Sequence, residues 1–199
     1  IVLILSALFL TFSRSSWAMF AVFIFVYGLF KAKKLLFVGL VVAFLAYFFV
    51  PRVQTRIAGI TDPADSAHFR LISWQNTLDI AKDNLFLGVG FNAFRYAQKA
   101  YGFFDVGSIG GHSGAGSDSS FLFVLATTGI LGFILFTGGY FRPFMKLFRP
   151  KSKDFSRYLP ILAAFLGLFV QAQFVNALFY PPIMFLWLVL LGVLTFEAN

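Results

Sequence analysis

The chain has 199 residues, 59% of them hydrophobic and 12% charged, with a mean hydropathy of +0.84. Soluble domains carry roughly a quarter charged residues, so this composition excludes an ordinary soluble globular protein. Sixteen Lys and Arg face eight Asp and Glu, and the absence of cysteine excludes disulfides, thiolate metal sites, iron–sulfur clusters and a cysteine nucleophile.

The sequence opens on Ile1, with neither an initiator Met nor a basic region before its apolar run. That is the pattern of a fragment, not of a signal peptide. Residues 1–13 form a partial span; to Phe12 it is about 18 Å of helix, little more than half a bilayer, so further N-terminal spans of the same protein are expected. Apolar runs of span length follow at 15–30 and 35–50, a polar segment covers 51–118, and further runs occupy 119–141, 158–179 and 182–196. The predicted fold is all-α, a polytopic transmembrane helix bundle of six crossings with the first truncated. It has three parts: spans over 1–50, a long outer loop over 51–118 carrying short amphipathic helices, and spans over 119–199 with a basic cytoplasmic loop at 142–157.

Charge sets the orientation. Lys31, Lys33 and Lys34 form one short loop, and Arg142, Lys146, Arg149, Lys151, Lys153 and Arg157 form another, with Asp154 the one acid between them. These loops carry the whole net charge of +8 and are predicted to be cytoplasmic. The basic balance therefore reflects topology and not nucleic acid, which would need a basic stripe on a folded soluble surface. Segment 51–118 has six basic and six acidic residues, is neutral, and belongs on the outer side. Within it Leu71, Trp74, Leu78, Ala81 and Leu85 recur at helical spacing, with Ser66 as N-cap, predicting an amphipathic helix against the membrane surface or the bundle. Gly88-Val89-Gly90 stops that helix, Phe91, Phe94 and Tyr101 suggest a second short one, and the Gly- and Ser-rich run Gly107–Ser120 reads as a lid or site loop.

Four residues are candidates for chemistry. Arg14 lies between Phe12 and Trp17 at the outward junction of two apolar runs, where a positive charge runs against the usual bias; it either snorkels to head groups or serves a site. Arg70 opens the amphipathic helix and could pair with Asp62 or Asp65, or form with Arg14 an outward cationic pair suited to a diphosphate. Asp118 closes the glycine-rich loop, as an N-cap of the next span or as a carboxylate that deprotonates a hydroxyl acceptor. His112 in the same loop is the second candidate base. Gly88-Val89-Gly90 has no preceding strand and two scattered histidines make no metal site, so neither cofactor nor metal is expected. Gln171, Gln173 and Asn176 are read as interhelical hydrogen-bonding residues.

Taken together, Leu10-Thr11-Phe12-Ser13-Arg14, Arg70-Leu71-Ile72-Ser73-Trp74, Asn84-Leu85-Phe86-Leu87-Gly88-Val89-Gly90-Phe91, Asp118-Ser119-Ser120-Phe121-Leu122 and Thr128-Gly129-Ile130-Leu131-Gly132 resemble the O-antigen ligase and polymerase family. The resemblance runs from about residue 4 to residue 140. It implies a multi-pass glycosyltransferase of the bacterial inner membrane with its site on the periplasmic face. The implied reaction takes a saccharide from undecaprenyl diphosphate to a glycan or lipid A-core acceptor, without nucleotide sugar or metal. It matches Arg14 and Arg70 to arginines associated with the carrier diphosphate. Family ligases have a histidine at the place of Asp118, whereas polymerase-like members often have Asp-Asn there, so Asp118-Ser119 leans toward a polymerase. The rival from another class is a transporter or flippase of a lipid-linked anion; against it stand the lack of an internal repeat and a single visible break, Pro181-Pro182. A non-catalytic membrane scaffold accounts for the spans but leaves Arg14 unexplained.

Overall fold

A computed structural model of the chain describes residues 2–59, 66–103, 116–145 and 155–197. Its helices are α1 (Val2–Leu10), α2 (Arg14–Phe30), α3 (Lys33–Phe49), α4 (Pro51–Ala58), α5 (Ser66–Asp83), α6 (Phe94–Ala100), α7 (Ser120–Met145), α8 (Phe155–Gln171) and α9 (Pro181–Glu197). No strand occurs among the described residues, in line with the all-α expectation. The chain divides into two compact units, 1–69 with 149–171 and 70–148 with 172–199.

In the first unit Ser13 caps α2, its Oγ accepting from the Ser16 N–H. α2 packs against α3 and α8 at small residues: Gly28 abuts Leu36, Gly39 abuts Ile24, and Gly167 of α8 lies against Met19, the close approach that glycine permits between helices. At one end of this packing the Lys31 ammonium donates to the Ser156 carbonyl at 3.4 Å and the rings of Phe30 and Phe155 meet at 5.3 Å. At the other end of α2, Gln171 donates to the Ser16 hydroxyl at 3.3 Å, the interhelical bond expected of it. α3 turns through 91° into α4 at Val50-Pro51. Pro51 sits in the first turn of α4, where a missing N–H costs nothing. Gln54 Nε2 donates to the Tyr47 and Phe48 carbonyls that the end of α3 leaves free.

The second unit is built on α7. Its core joins Ile80 and Ala81 of α5 and Phe94 of α6 to Phe123 and Ala126, with Val89, Ala97, Phe103, Leu125 and Phe179 around them. α7 is not one straight helix: Gly129 has φ 64° and ψ −171°, which interrupts the ladder and frees backbone groups on both sides. The turn after α5 takes them up. Val89 N–H donates to the Ala126 carbonyl at 3.0 Å, Gly90 N–H to Thr127 at 2.8 Å, and Ile130 N–H to Leu85 at 2.7 Å. The two backbones approach so closely that a Cβ on Gly88 would strike Thr127 and Thr128, and one on Gly129 would strike Phe86. Both glycines also have positive φ, 67° and 64°. The break visible in the sequence at Pro181-Pro182 therefore has a second counterpart that the sequence reading lacked.

Two further expectations change. The predicted stripe on α5 divides: Trp74 and Ala81 lie toward the core with Thr77 and Ile80, whereas Leu71, Leu78 and Leu85 are exposed. Ser66 is the first helical residue and not the cap, and its Oγ accepts from Arg14. Of the apolar runs, one among the described residues, Ser120–Arg142, is long and apolar enough to cross a membrane; α2, α8 and Pro181–Gly192 are apolar but shorter.

The crossing of Gly88 and Gly129 makes a stability prediction. Gly129→Ala and Gly88→Ala are each expected to lower the thermal unfolding midpoint in detergent, with about 1–3 kcal/mol from the left-handed backbone alone and more from the clash. Gly138→Ala, whose Cβ would meet nothing within 4 Å, is expected to leave it unchanged. Equal midpoints for all three would mean that the crossing does not form.

Candidate functional site

The site residues are best built from the α5 face that looks into the second unit. Arg70, Ser73, Trp74 and Thr77 fall three and four residues apart and so share one side of the helix. Opposite them runs Ser117-Asp118-Ser119-Ser120, the corner that leads into α7. Thr77 and Ser117 join their hydroxyls at 2.9 Å, and Thr77 also donates to the Ser73 carbonyl at 2.6 Å. Asp118 is held through its main chain: its N–H donates to Ser73 Oγ at 3.1 Å, and its carbonyl accepts from Trp74 Nε1 at 3.2 Å. The Trp74 ring is braced by Phe174 at 5.7 Å.

This arrangement bears on the N-cap reading of Asp118. The helix cap is Ser119, whose Oγ accepts from the Leu122 N–H at 3.3 Å, as Ser at this position does. The Asp118 carboxylate instead lies near the Ser73 hydroxyl and feels the Arg70 charge. Its pKa is raised above its ordinary 3.8, first because half-burial strips water from the charged form, with Arg70 and Ser73 pulling the other way. The result is a carboxylate more basic than usual within the field of the Arg70 charge. The corner is also clasped from the C-terminal side. Ala172 accepts from the Ser120 N–H at 2.8 Å, the Leu178 N–H donates to Ser120 Oγ at 3.2 Å, and Asn176 lies beside Gly116.

Thus Arg70 and Asp118 come together in the second unit. Arg14 belongs to the first, where its guanidinium donates to the Arg56 carbonyl and to Ser66 Oγ, both at 2.9 Å. A cation at the C-terminal end of α4 is also favoured by the helix dipole. His112 lies outside the described residues, as do Asp62 and Asp65, the alternative partners of Arg70. The chain leaves α6 at Phe103, whose N–H donates to the Gln98 carbonyl, and is next described at Gly116, whose carbonyl accepts from Gln98 Nε2 at 3.4 Å. Among the described residues no group of three His, Cys, Asp or Glu side chains could hold a metal ion. Sequence reasoning missed Ser73, which was not singled out, and took Trp74 as a packing residue. The signal available was their position one turn after Arg70.

Two outcomes follow for stability. A raised pKa means that the native state binds the proton more tightly than the unfolded chain, so the Asp118 charge costs stability as pH rises through the shifted value, and the cost is complete above it. Asp118→Asn is therefore expected to unfold no earlier than the parent at neutral pH, and a marked fall in midpoint would contradict the desolvation. Trp74→Phe keeps the ring against Phe174 but removes the donor to Asp118; it is expected to cost about 1 kcal/mol in denaturant titration, and no change would show that the bond carries no weight.

Residues 1–137 match the family model described as O-antigen ligase. Among curated proteins and solved structures nothing matches the chain. The matched stretch contains Arg14, Arg70, Asp118 and both glycines of the crossing, and extends over more than half of the sequence. The chain belongs to the O-antigen ligase family.

Proposed function

We propose that this chain is part of a multi-pass glycosyltransferase of the bacterial inner membrane. In this reading it transfers a saccharide from undecaprenyl diphosphate to a glycan or lipid A-core acceptor on the periplasmic face, with the polymerase type favoured over the ligase type. The family supports an O-antigen ligase-type enzyme. The observation that carries the finer reading is a half-buried Asp118 that feels the Arg70 charge and whose backbone is gripped by the two residues one turn along from that arginine.

The chemistry fits these groups. As the anomeric bond breaks, negative charge builds on the diphosphate leaving group, and a guanidinium fork stabilises it by two parallel charge-assisted bonds. The acceptor hydroxyl loses its proton as it attacks, and a carboxylate made more basic by burial is suited to take it. We assign Arg70 to the diphosphate and Asp118 to the base. Arg14 and His112 are proposed as auxiliary groups of the same reaction, each to be tested by its own substitution. The three-part organisation, with spans over 1–50, a periplasmic segment over 51–118 and spans over 119–199, is proposed with it. Supporting that topology, in the first unit Lys31 and Ser156 lie at one end of α2 and Arg14, Arg56 and Ser66 at the other. The break in α7 is a feature transporters share. Here, however, its freed backbone groups bond the 85–90 turn, which favours a structural role over a cargo site.

Arg70→Lys in the full-length protein keeps the charge but loses the fork, and is expected to lose most polysaccharide product at normal protein level. Near-normal product would reduce Arg70 to a surface anchor. Asp118→Asn is expected to do likewise, and near-normal product would move the base to His112. In the parent the base works only when deprotonated, so activity falls as pH falls. The acid limb is expected above the ordinary aspartate value of 3.8, and a limb at or below that value would remove Asp118 from the role.

A further inference from the structure

The tip that follows α5 is apolar and open. Leu85, Phe86 and Leu87 are 46%, 73% and 76% exposed, although they end a segment that is otherwise polar and neutral. Ile130 N–H bonds the Leu85 carbonyl, which places this tip at the start of the second half of α7. That half carries its own open apolar residues, Leu131, Ile134 and Leu135, at 57%, 59% and 77%. The tip thus adjoins the exposed side of the one described helix with the length and hydropathy of a membrane span. Its charged neighbours lie back along α5, where Asp79 and Lys82 pair at 3.0 Å in the open.

We propose that Leu85-Phe86-Leu87 is immersed in the acyl chains of the bilayer, as a wedge entering from the outer face beside the second half of α7. The turn is pinned to the protein on both sides of the tip: the Leu85 carbonyl and the N–H groups of Gly88, Val89 and Gly90 have partners in Ile130, Asn84, Ala126 and Thr127, so it can present its apolar side chains to the acyl chains while the rest of its backbone stays at the head-group boundary. Phe and Leu side chains carried on such a turn gain by leaving water for hydrocarbon. The occupant is lipid, because the patch continues onto the outward side of a span and holds no polar or charged side chain that would match a protein partner. The wedge would hold α5, and with it Arg70 and Ser73, at a fixed place against the bilayer.

The inference rests on the membrane reading above, and one experiment separates the two. The chain has no cysteine, so single cysteines can be placed at Phe86, Leu87, Leu135 and Lys99 in the full-length protein in lipid vesicles, and spin-labelled. Collision with dissolved oxygen reports hydrocarbon and collision with a water-soluble nickel complex reports water. Labels at 86 and 87 are expected to lose nickel accessibility to the same extent as the label at 135, while the label at 99 keeps it. If 135 is in hydrocarbon and 86 and 87 are in water, or are shielded from both reagents, the wedge is overturned while the membrane reading stands. If 135 is also in water, the membrane reading itself falls.

Discussion

The second unit depends on a backbone crossing that only glycine allows. α7 breaks at Gly129, and the break is stable because the turn around Gly88 supplies the hydrogen-bond partners that the helix gives up. A second tie, from Ser73 and Trp74 to Asp118, lies twelve residues earlier on each segment of chain, since Ser73 precedes Leu85 by the same count as Asp118 precedes Ile130. Twelve helical residues span about 18 Å. α5 and the first half of α7 are thus matched in length between their ties and run side by side in the same direction, with Ile80, Ala81, Phe123 and Ala126 filling the space between. Shifting either tie by a residue would pull the other out of register.

This register brings Arg70 and Asp118, 48 apart in sequence, into the same part of the second unit. Asp118 cannot drift, because its N–H and carbonyl are held from α5 and the following Ser120 is clasped by Ala172, Val175 and Leu178. The capping demand of α7 is met by Ser119, so the carboxylate is left for other work. Burial raises its proton affinity and Arg70 restrains the rise. A half-buried carboxylate is kept within the field of a guanidinium, a state that costs stability and that clusters at functional sites.

The helices were legible in the sequence because long apolar runs report helix position and length locally. Arg14, Arg70 and Asp118 stood out because charges at such junctions need a reason. What escaped was non-local. Nothing around Gly129 distinguishes a break from a tolerated helical glycine, because its partner Gly88 lies 41 residues earlier. Trp74 reads as one member of a stripe until the Asp118 carbonyl is seen against its N–H. The stripe itself was miscounted: spacing placed Leu78 and Ala81 together, but only one side of that band meets the aromatic core of α6 and α7. Asp118 and Ser119 are adjacent and both able to cap, so spacing alone could not choose between them.

The central claim is that Ser73 acts through Asp118, holding it for proton transfer. A double-substitution cycle in the full-length enzyme tests it most directly, comparing transfer rates of Ser73→Ala, Asp118→Asn and the pair. If the serine works only by positioning the carboxylate, Ser73→Ala slows the parent but has no further effect once Asp118 is replaced, so the double variant matches Asp118→Asn. Losses that simply multiply would show the two residues acting independently and would contradict the account.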